Sequence, residues 1–296
     1  MTTAVGARWF RPSRGILFMA ASAFALSTMT VLVKLASASL PTGQIVFVRS
    51  TVMLAVSWAM VRRAGVSPWG HNKRGLMTRG LVGFGALAAF YVSVAHLPVS
   101  EATTLRNTIP LFTALLAWWI LRERVGWPTA IAIACGIGGV LMIAHPGGAG
   151  VDPVGVGVGL GSALLTALAY VGVRQLARTD HASVIVFWYV LVGAPLALPW
   201  ALAVWVTPSP TECLLLLMIG LTTQIGQVLL TMGLALEGAG RATAVGYIQV
   251  AFALLWQWTV FDDVPTTWTI AGAALIIGGT VVTTLGDRVT RGPLSR

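Results

Sequence analysis

Residues 15–33 form a continuous apolar run, GILFMAASAFALSTMTVLV. About 20 apolar residues are needed for a helix to cross the hydrocarbon core of a bilayer, whereas the apolar region of a secretory signal peptide has only about 7 to 15. Residues 36–38, Ala-Ser-Ala, resemble a signal-peptide cleavage site, but the run that precedes them is too long. We therefore expect a retained first transmembrane helix.

The rest of the chain has the same apolar character. Of its 296 residues, 56% are hydrophobic and 9% are charged, and the mean hydropathy is +0.84, whereas a soluble domain carries about 25% charged residues. The net charge of +10 is distributed over short gaps between apolar runs, which favours helix orientation in a membrane over nucleic-acid binding. We expect a lipid bilayer and no nucleic acid as partner. Cys135 and Cys213 lie in apolar runs without metal-ligand spacing and are interpreted as packing residues.

Apolar windows between charged or Gly/Pro-marked gaps predict an all-α, polytopic membrane protein with ten transmembrane helices. The windows are continuous rather than alternating, which indicates helices and not the strands of a membrane barrel. The predicted spans are 15–37, 43–61, 77–96, 99–121, 127–144, 154–176, 182–204, 211–235, 240–261 and 267–285.

The positive residues between spans or close to their ends fall mostly on one side of the predicted membrane, and the loops on the other side hold no Lys or Arg outside a span. Because cytoplasmic loops carry the excess of Lys and Arg, we expect a multi-pass protein of the inner cell membrane with both termini in the cytoplasm. The residues assigned to the cytoplasmic side are Arg8, Arg11, Arg14, Arg62, Arg63, Lys73, Arg74, Arg79, Arg122, Arg124, Arg178, Arg241, Arg288, Arg291 and Arg296.

The sequence aligns with itself at a constant offset of 140 residues, so that Phe112 matches Phe252 and Trp118 matches Trp258. Chance similarity between two apolar sequences is the alternative, but a constant offset that includes aromatic residues favours an internal repeat. Five helices per unit is an odd number, so the second unit would be inverted in the membrane, as in many alternating-access transporters. The predicted parts are a first repeat at 1–145, a linker at 146–153, a second repeat at 154–286 and a cytoplasmic tail at 287–296.

Three segments carry a family resemblance: VKL at 33–35, VRS at 48–50, and LPVSEATTLRNTIPLFTALLAWWILRE at 97–123. Through them the chain resembles the EamA-type members of the drug/metabolite transporter superfamily. The resemblance implies two five-helix halves, and its cargo class would be amino acids or related carboxylated or nucleoside-like metabolites. The second half departs from the pattern, because Val250 and Asp263 stand where the repeat offset places Pro110 and Glu123.

Four ionisable residues lie inside or near the predicted spans: Lys34, Arg49, Glu101 and Arg106. Charge inside a bilayer is costly and usually marks a functional pathway. Three cations against one acid would leave a positive surplus that binds an anionic substrate group, and Glu101 is a candidate for proton coupling. Two alternatives stay open: Lys34 and Glu101 could reach the interface by snorkelling, and Arg49 could form a structural ion pair with Glu101.

Uncharged candidates complete the predicted substrate-binding set. Asn107 lies in the middle of the fourth span beside Pro110, which would kink the helix and serve as a hinge. Plain packing and interhelical hydrogen bonding are the alternatives for these residues. The further candidates are Tyr91, Gln224, Gln227, Tyr247 and Gln249.

The sequence shows no Walker motif, no metal-ligand cluster and no nucleophile with a matching base. We therefore expect a secondary transporter for a small polar metabolite, without a cofactor or a metal and without enzymatic activity. A non-transporting membrane receptor or scaffold is the alternative, with a membrane-embedded enzyme behind it. A homodimer is left open.

Overall fold

The computed structural model describes residues 13–97, 99–144, 152–261 and 267–290, and these residues form twelve α-helices. The predicted linker at 146–153 and the predicted tail at 287–296 lie largely outside this part of the chain. The helices are α1 (Arg14–Ala36), α2 (Thr42–Arg63), α3 (Lys73–His96), α4 (Val99–Arg106), α5 (Ile109–Leu121), α6 (Trp127–Ala144), α7 (Pro153–Leu176), α8 (Ala182–Ala203), α9 (Pro210–Leu236), α10 (Ala239–Val245), α11 (Ile248–Phe261) and α12 (Thr267–Thr290).

Six helices, α1, α2, α3, α7, α8 and α9, are long and apolar enough to cross a bilayer. The described parts of α6 and α12 add shorter apolar helices at 127–142 and 267–282. The chain is therefore a polytopic helical membrane protein, as predicted. Two predicted spans, 99–121 and 240–261, are each divided into two helices, α4 with α5 and α10 with α11. The sequence predicted a kink in the first of them and no break in the second.

The loops alternate between the two ends of the bundle. We call one the Ser13 end, where α1, α3, α6, α8 and α10 begin, and the other the Ser39 end, where α2, α4, α7, α9 and α12 begin. Polar side chains cap helices at both ends. Ser13 caps α1, and Ser209 forms a capping box with Glu212 at the start of α9. Such caps pair the backbone N–H groups that the first helical turn leaves without partners.

Helix contacts recur at the offset of 140 residues. A Cβ atom added at Gly80 of α3 would lie 2.7 Å from Cβ of Val192 in α8, and one added at Gly220 of α9 would lie 2.5 Å from Cβ of Val52 in α2. Both pairs of residues are equivalent under the offset. The absence of a side chain at each glycine therefore lets two helices approach closely at matching places in the two halves.

The helices α6 and α12 pack against each other through small residues. A Cβ added at Gly139 of α6 would meet the backbone oxygen of Gly272 at 2.5 Å, and one at Gly279 of α12 would meet Cβ of Cys135 at 2.7 Å. Cys135 is half-buried in this contact, in line with the packing role predicted for it. Cys213 is exposed in the first turn of α9, so a packing role was the wrong prediction there.

A buried carboxylate joins two loops at the Ser13 end. Asp180 accepts hydrogen bonds from the backbone N–H groups of His71 and Asn72 and from the hydroxyl of Thr179. Gly70, in the same loop as His71, has a φ of +61°, which favours glycine. Burial raises the pKa of Asp180, but these hydrogen bonds outweigh it and hold the pKa below its ordinary value. The ionised carboxylate thus connects the loop before α3 with the loop before α8.

Candidate functional site

Arginine and tyrosine side chains from α2, α3, α4, α7 and α8 come together in the bundle and interact electrostatically. Three of the four tyrosines in the chain belong to this group. We call it the arginine–tyrosine cluster, and its members are Arg49, Arg79, Tyr91, Arg106, Tyr170 and Tyr189.

Tyr91 connects two of the predicted cationic residues. It interacts electrostatically with both Arg49 of α2 and Arg106 of α4, and its ring packs edge-on against Trp200, with 5.0 Å between ring centroids. The Nε atom of Arg49 is buried without a hydrogen-bond partner. The guanidinium of Arg106 lies 4.7 Å from the centroid of the Phe90 ring. The structure therefore places Arg49 and Arg106 within electrostatic reach of Tyr91, and the Nε atom of Arg49 can still donate a hydrogen bond.

The placement of Arg79 corrects one expectation. The sequence assigned it to the positive residues on the cytoplasmic side, but it lies six residues after Lys73, the first residue of α3, and is only 6% exposed. Its guanidinium stacks over the ring of Tyr189 at 4.6 Å. The predicted span 77–96 already contained residue 79, and this was the signal that could have identified it as buried.

Gln224 and Gln227, predicted to share a face of one helix, both lie on α9. Gln224 is buried and donates a hydrogen bond from Nε2 to the hydroxyl of Ser57 in α2 at 2.8 Å, while its Oε1 atom is buried without a partner. Gln227 is half-buried one turn later. The contact of Gln224 with Ser57 joins two helices, which is the interhelical hydrogen bond considered as an alternative to substrate binding. The unpartnered Oε1 atom of Gln224 could still accept a hydrogen bond from a ligand.

The remaining predicted residues, Lys34, Gln249 and Glu101, are distant from one another in the sequence and are not members of the arginine–tyrosine cluster. Lys34 is in the last turn of α1 and its side chain is exposed near the Ser39 end. Gln249 is half-buried in the first turn of α11. The side chain of Glu101 lies outside the described residues.

Two helix breaks meet in the bundle. One separates α4 from α5 at residues 107–108, and the other separates α10 from α11 at residues 246–247. Tyr247 is buried and donates a hydrogen bond from its hydroxyl to the backbone oxygen of Asn107 at 2.7 Å. Since 107 and 247 are related by the repeat offset, equivalent residues of the two halves are joined. Pro110 lies in the first turn of α5, where its missing N–H costs no helical hydrogen bond.

An ion pair at the Ser13 end, with its hydrogen bonds, connects four helices. Nε of Arg174, near the end of α7, lies 3.0 Å from Oε1 of Glu123 in the loop after α5. Oε2 of Glu123 accepts a hydrogen bond from the backbone N–H of Ala239 at the start of α10, with 2.8 Å between the nitrogen and the oxygen. Arg174 also donates to the backbone oxygen of Leu234 in α9, at 3.2 Å. These bonds draw the ends of α5, α7 and α9 and the start of α10 together.

A second ion pair lies at the same end, between Arg241 and Glu237 at 2.7 Å, and Glu237 also accepts a hydrogen bond from Ser13. Beyond these pairs, α5 packs against α10. Among the described helices, α4 and α11, the corresponding pair at the Ser39 end, scarcely touch. The bundle is therefore closed at the Ser13 end.

An apolar groove of about 730 Å³ lies between α5 and α6, away from the arginine–tyrosine cluster. Leu115, Trp118 and Ile137 line it, and Trp118 is 63% exposed on the outer surface of the bundle. Such a surface fits lipid chains rather than a polar solute, so this groove is not the candidate site.

Comparison with known proteins identifies the family. Residues 13–145 and 153–285 each match the EamA-like transporter family. The chain is 34% identical over 264 residues to the pseudopaline exporter CntI of Pseudomonas aeruginosa, covering 89% of this chain and 93% of that protein. It is 27% identical to solute carrier family 35 member G1 of Mus musculus, covering 95% and 79% of the two chains.

A third relative and a solved structure agree with these matches. The S-adenosylmethionine uptake transporter of Rickettsia prowazekii is 25% identical over 203 residues and is covered for 69% of its length, as is this chain. A solved crystal structure superposes with a TM-score of 0.85 at 19% identity, covering 95% of this chain and all of the other. That likeness shows the fold. The chain belongs to the EamA-like transporter family of the drug/metabolite transporter superfamily, and it is a membrane transporter rather than an enzyme.

Proposed function

We propose that this protein is a secondary transporter that moves a small, carboxylate-bearing polar metabolite across the inner membrane by alternating access. The observation that carries the proposal is the meeting of Arg49, Tyr91 and Arg106 in the bundle, with the Nε atom of Arg49 buried and unpartnered. A buried donor on a charged group is expensive to leave unpaired. A substrate carboxylate would satisfy it with charge-assisted hydrogen bonds.

The proposed architecture is ten spans in two inverted five-helix repeats, 1–145 and 154–286. Eight spans are single helices and two are the divided helices α4 with α5 and α10 with α11. The glycine contacts that recur after 140 residues and the double match to one family support this arrangement. Discontinuous helices at the interface of inverted repeats commonly form the substrate site of a secondary transporter.

The proposed orientation places both termini in the cytoplasm, because the Ser13 end carries the positive loop residues. The closed Ser13 end then faces the cytoplasm, and the structure corresponds to an outward-facing state. In the opposite state α5 and α10 would separate, and the ion pair of Glu123 with Arg174 would open. The hydrogen bond between Tyr247 and Asn107 would form the pivot at the two helix breaks.

The named relatives support a small metabolite as cargo and differ in direction, since one is an exporter and another an uptake transporter. S-adenosylmethionine carries both an α-carboxylate and a nucleoside, so it belongs to the cargo class that we propose. We propose no preferred direction on this basis.

The test is uptake of radiolabelled glutamate, adenosine and S-adenosylmethionine into proteoliposomes that contain the full-length protein. We expect saturable flux of at least one carboxylated compound, which Arg49→Ala abolishes. Arg62→Ala is the matched control, because Arg62 is exposed near the Ser13 end, where its guanidinium lies 4.7 Å from the Trp58 ring centroid. Flux that Arg49→Ala leaves unchanged would contradict the proposed site.

Two further outcomes separate the alternatives. Binding of a compound without any flux would favour a receptor or scaffold over a transporter. For proton coupling, we expect Glu101→Gln to reduce the response of uptake to a pH gradient. An unchanged response in this variant would remove Glu101 from the mechanism.

A further inference from the structure

Arg79 is a buried cation whose hydrogen-bonding groups are not satisfied. It is 6% exposed, and its Nε and Nη1 atoms are both buried without a hydrogen-bond partner. Among the described side chains, no carboxylate pairs with it. A guanidinium cannot become neutral by losing a proton in a protein. The charge is therefore present inside the bundle, and none of the described carboxylates serves as its counter-ion.

Space is reserved for this guanidinium by the absence of a side chain one turn later. A Cβ atom added at Gly83 would lie 2.4 Å from Nη1 of Arg79 and 3.0 Å from Cε2 of Tyr189. The guanidinium stacks over Tyr189 at 4.6 Å, so the aromatic ring stabilises one face of the cation. A stacked guanidinium keeps its N–H donors at its edge, and those on Nε and Nη1 have no hydrogen-bond partner.

The cluster extends along the bundle rather than forming one point. Tyr170 interacts electrostatically with both Arg79 and Arg106, and Tyr91 interacts with both Arg106 and Arg49. Along α3, Tyr91 follows Arg79 by twelve residues, which corresponds to about 18 Å at 1.5 Å per residue. The cluster thus extends from Arg49, near the Ser39 end, to Arg79, near the closed Ser13 end, and tyrosines lie between its arginines.

We propose that Arg79, with Tyr170 and Tyr189, is a second anion-binding site of the transport pathway, and that it favours cargo with two or more carboxylates over cargo with one. This inference rests on the proposed function for its physiological meaning. One carboxylate binds between Arg49 and Arg106, and the negative charge of the others is attracted by the guanidinium of Arg79, which no described carboxylate compensates. A monocarboxylate leaves the inner charge uncompensated and therefore binds less tightly.

The test measures anion binding directly, with citrate and acetate as probes and without transport. The unfolding temperature of the full-length protein in detergent is followed against the concentration of each anion, at constant ionic strength set with sodium chloride. We expect wild type to bind citrate at least about tenfold more tightly than acetate. Arg79→Gln should remove this preference and leave the affinity for acetate unchanged. Arg62→Gln should behave as wild type.

Equal or absent stabilisation by the two anions in wild type would overturn the proposal, and so would a citrate preference that survives Arg79→Gln. A purely structural role would lower the unfolding temperature without altering the preference. If Arg79→Gln does not fold, Arg79→Lys and Gly83→Ala supply the test, because the first alters the donor geometry and the second displaces Nη1. Both should weaken citrate binding more than acetate binding.

The two proposals fail in different ways. If flux depends on Arg49 but the preference for citrate does not depend on Arg79, the proposed transport function stands and the second site is refuted. Citrate binding that depends on Arg79 in a protein without flux would retain the second site and refute the proposed function.

Discussion

The ion pair of Glu123 with Arg174 holds the Ser13 end closed, and replacing Glu123 by glutamine should open that end. The substitution keeps the size of the side chain and removes its charge. It weakens the 3.0 Å contact to Arg174 and the hydrogen bond from the N–H of Ala239 at the start of α10. In the open state both contacts would already be broken, so the substitution should affect mainly the closed state.

The magnitude follows from the burial of the pair. Both side chains are 21% exposed, which places the pair between exposed ion pairs, at about 0.2–1 kcal/mol, and buried pairs, whose rupture costs about 3–5 kcal/mol. We expect Glu123→Gln to destabilise the closed state by about 1–3 kcal/mol. Because about 1.4 kcal/mol is a factor of ten, the open state should gain roughly five- to 150-fold in relative population.

The assay is a disulfide cross-link that forms only when α5 and α10 are together. A Cβ at residue 240 would lie 3.1 Å from Cβ of Ala114, so a small outward shift would reach the separation of about 3.5–4.5 Å that a disulfide requires. The reporter is the pair Ala114→Cys and Gly240→Cys, in a background in which Cys135 and Cys213 are serine. Oxidation should cross-link this protein efficiently, and adding Glu123→Gln should lower the yield.

The matched control acts at the opposite end. Glu212 accepts a hydrogen bond from Ser39 there, and Glu212→Gln should not lower the yield of the cross-link. A double-mutant cycle with Arg174→Gln isolates the pairwise term. If Glu123→Gln leaves the cross-link unchanged and the cycle shows no coupling between the two residues, the closing role of the pair is refuted.

Three further substitutions, the first with a matched control, test the fold and the contact between the helix breaks. Gly80→Ala should destabilise the protein by about 1–3 kcal/mol in the detergent unfolding assay, because its Cβ would lie 2.7 Å from Cβ of Val192. Gly85→Ala is the control: its Cβ would have no neighbour within 4 Å, so this substitution should be neutral or stabilising. Asp180→Asn should destabilise the protein at neutral pH by about 1–3 kcal/mol. Because the pKa of Asp180 is lowered in the folded state, the ionised carboxylate stabilises the protein at pH values above the unfolded-state pKa. This stability is lost as the pH falls through the folded-state pKa, so in a pH series of unfolding temperatures variant and wild type should begin to converge below about pH 4. Tyr247→Phe removes the bond between the helix breaks and should cost about 1 kcal/mol and slow proteoliposome flux; unchanged flux would contradict the pivot.

Sequence patterns were informative where a property depends on local composition. The apolar run at 15–33 and its counterparts predicted membrane helices, because hydrocarbon imposes length and polarity on each span separately. The offset of 140 residues predicted a repeat, and the match of the family to both halves agrees with it. Sequence patterns were less informative at helix interruptions. The break at residues 246–247 has no proline near it, so the sequence did not predict this break.

The sequence by itself determined that this chain is a helical membrane protein with an internal repeat, since hydropathy and the repeat can be recognised without knowing which helices touch. The segments at 33–35, 48–50 and 97–123 carried its resemblance to the EamA type. Only the tertiary structure decided which polar side chains meet. It joined Tyr247 to the backbone of Asn107, gave Gln224 a partner in Ser57, and placed Arg79 inside the bundle rather than at its surface. The physical reason is that the face a side chain presents depends on how helices distant in sequence pack together, and one apolar helix pattern is compatible with several packings.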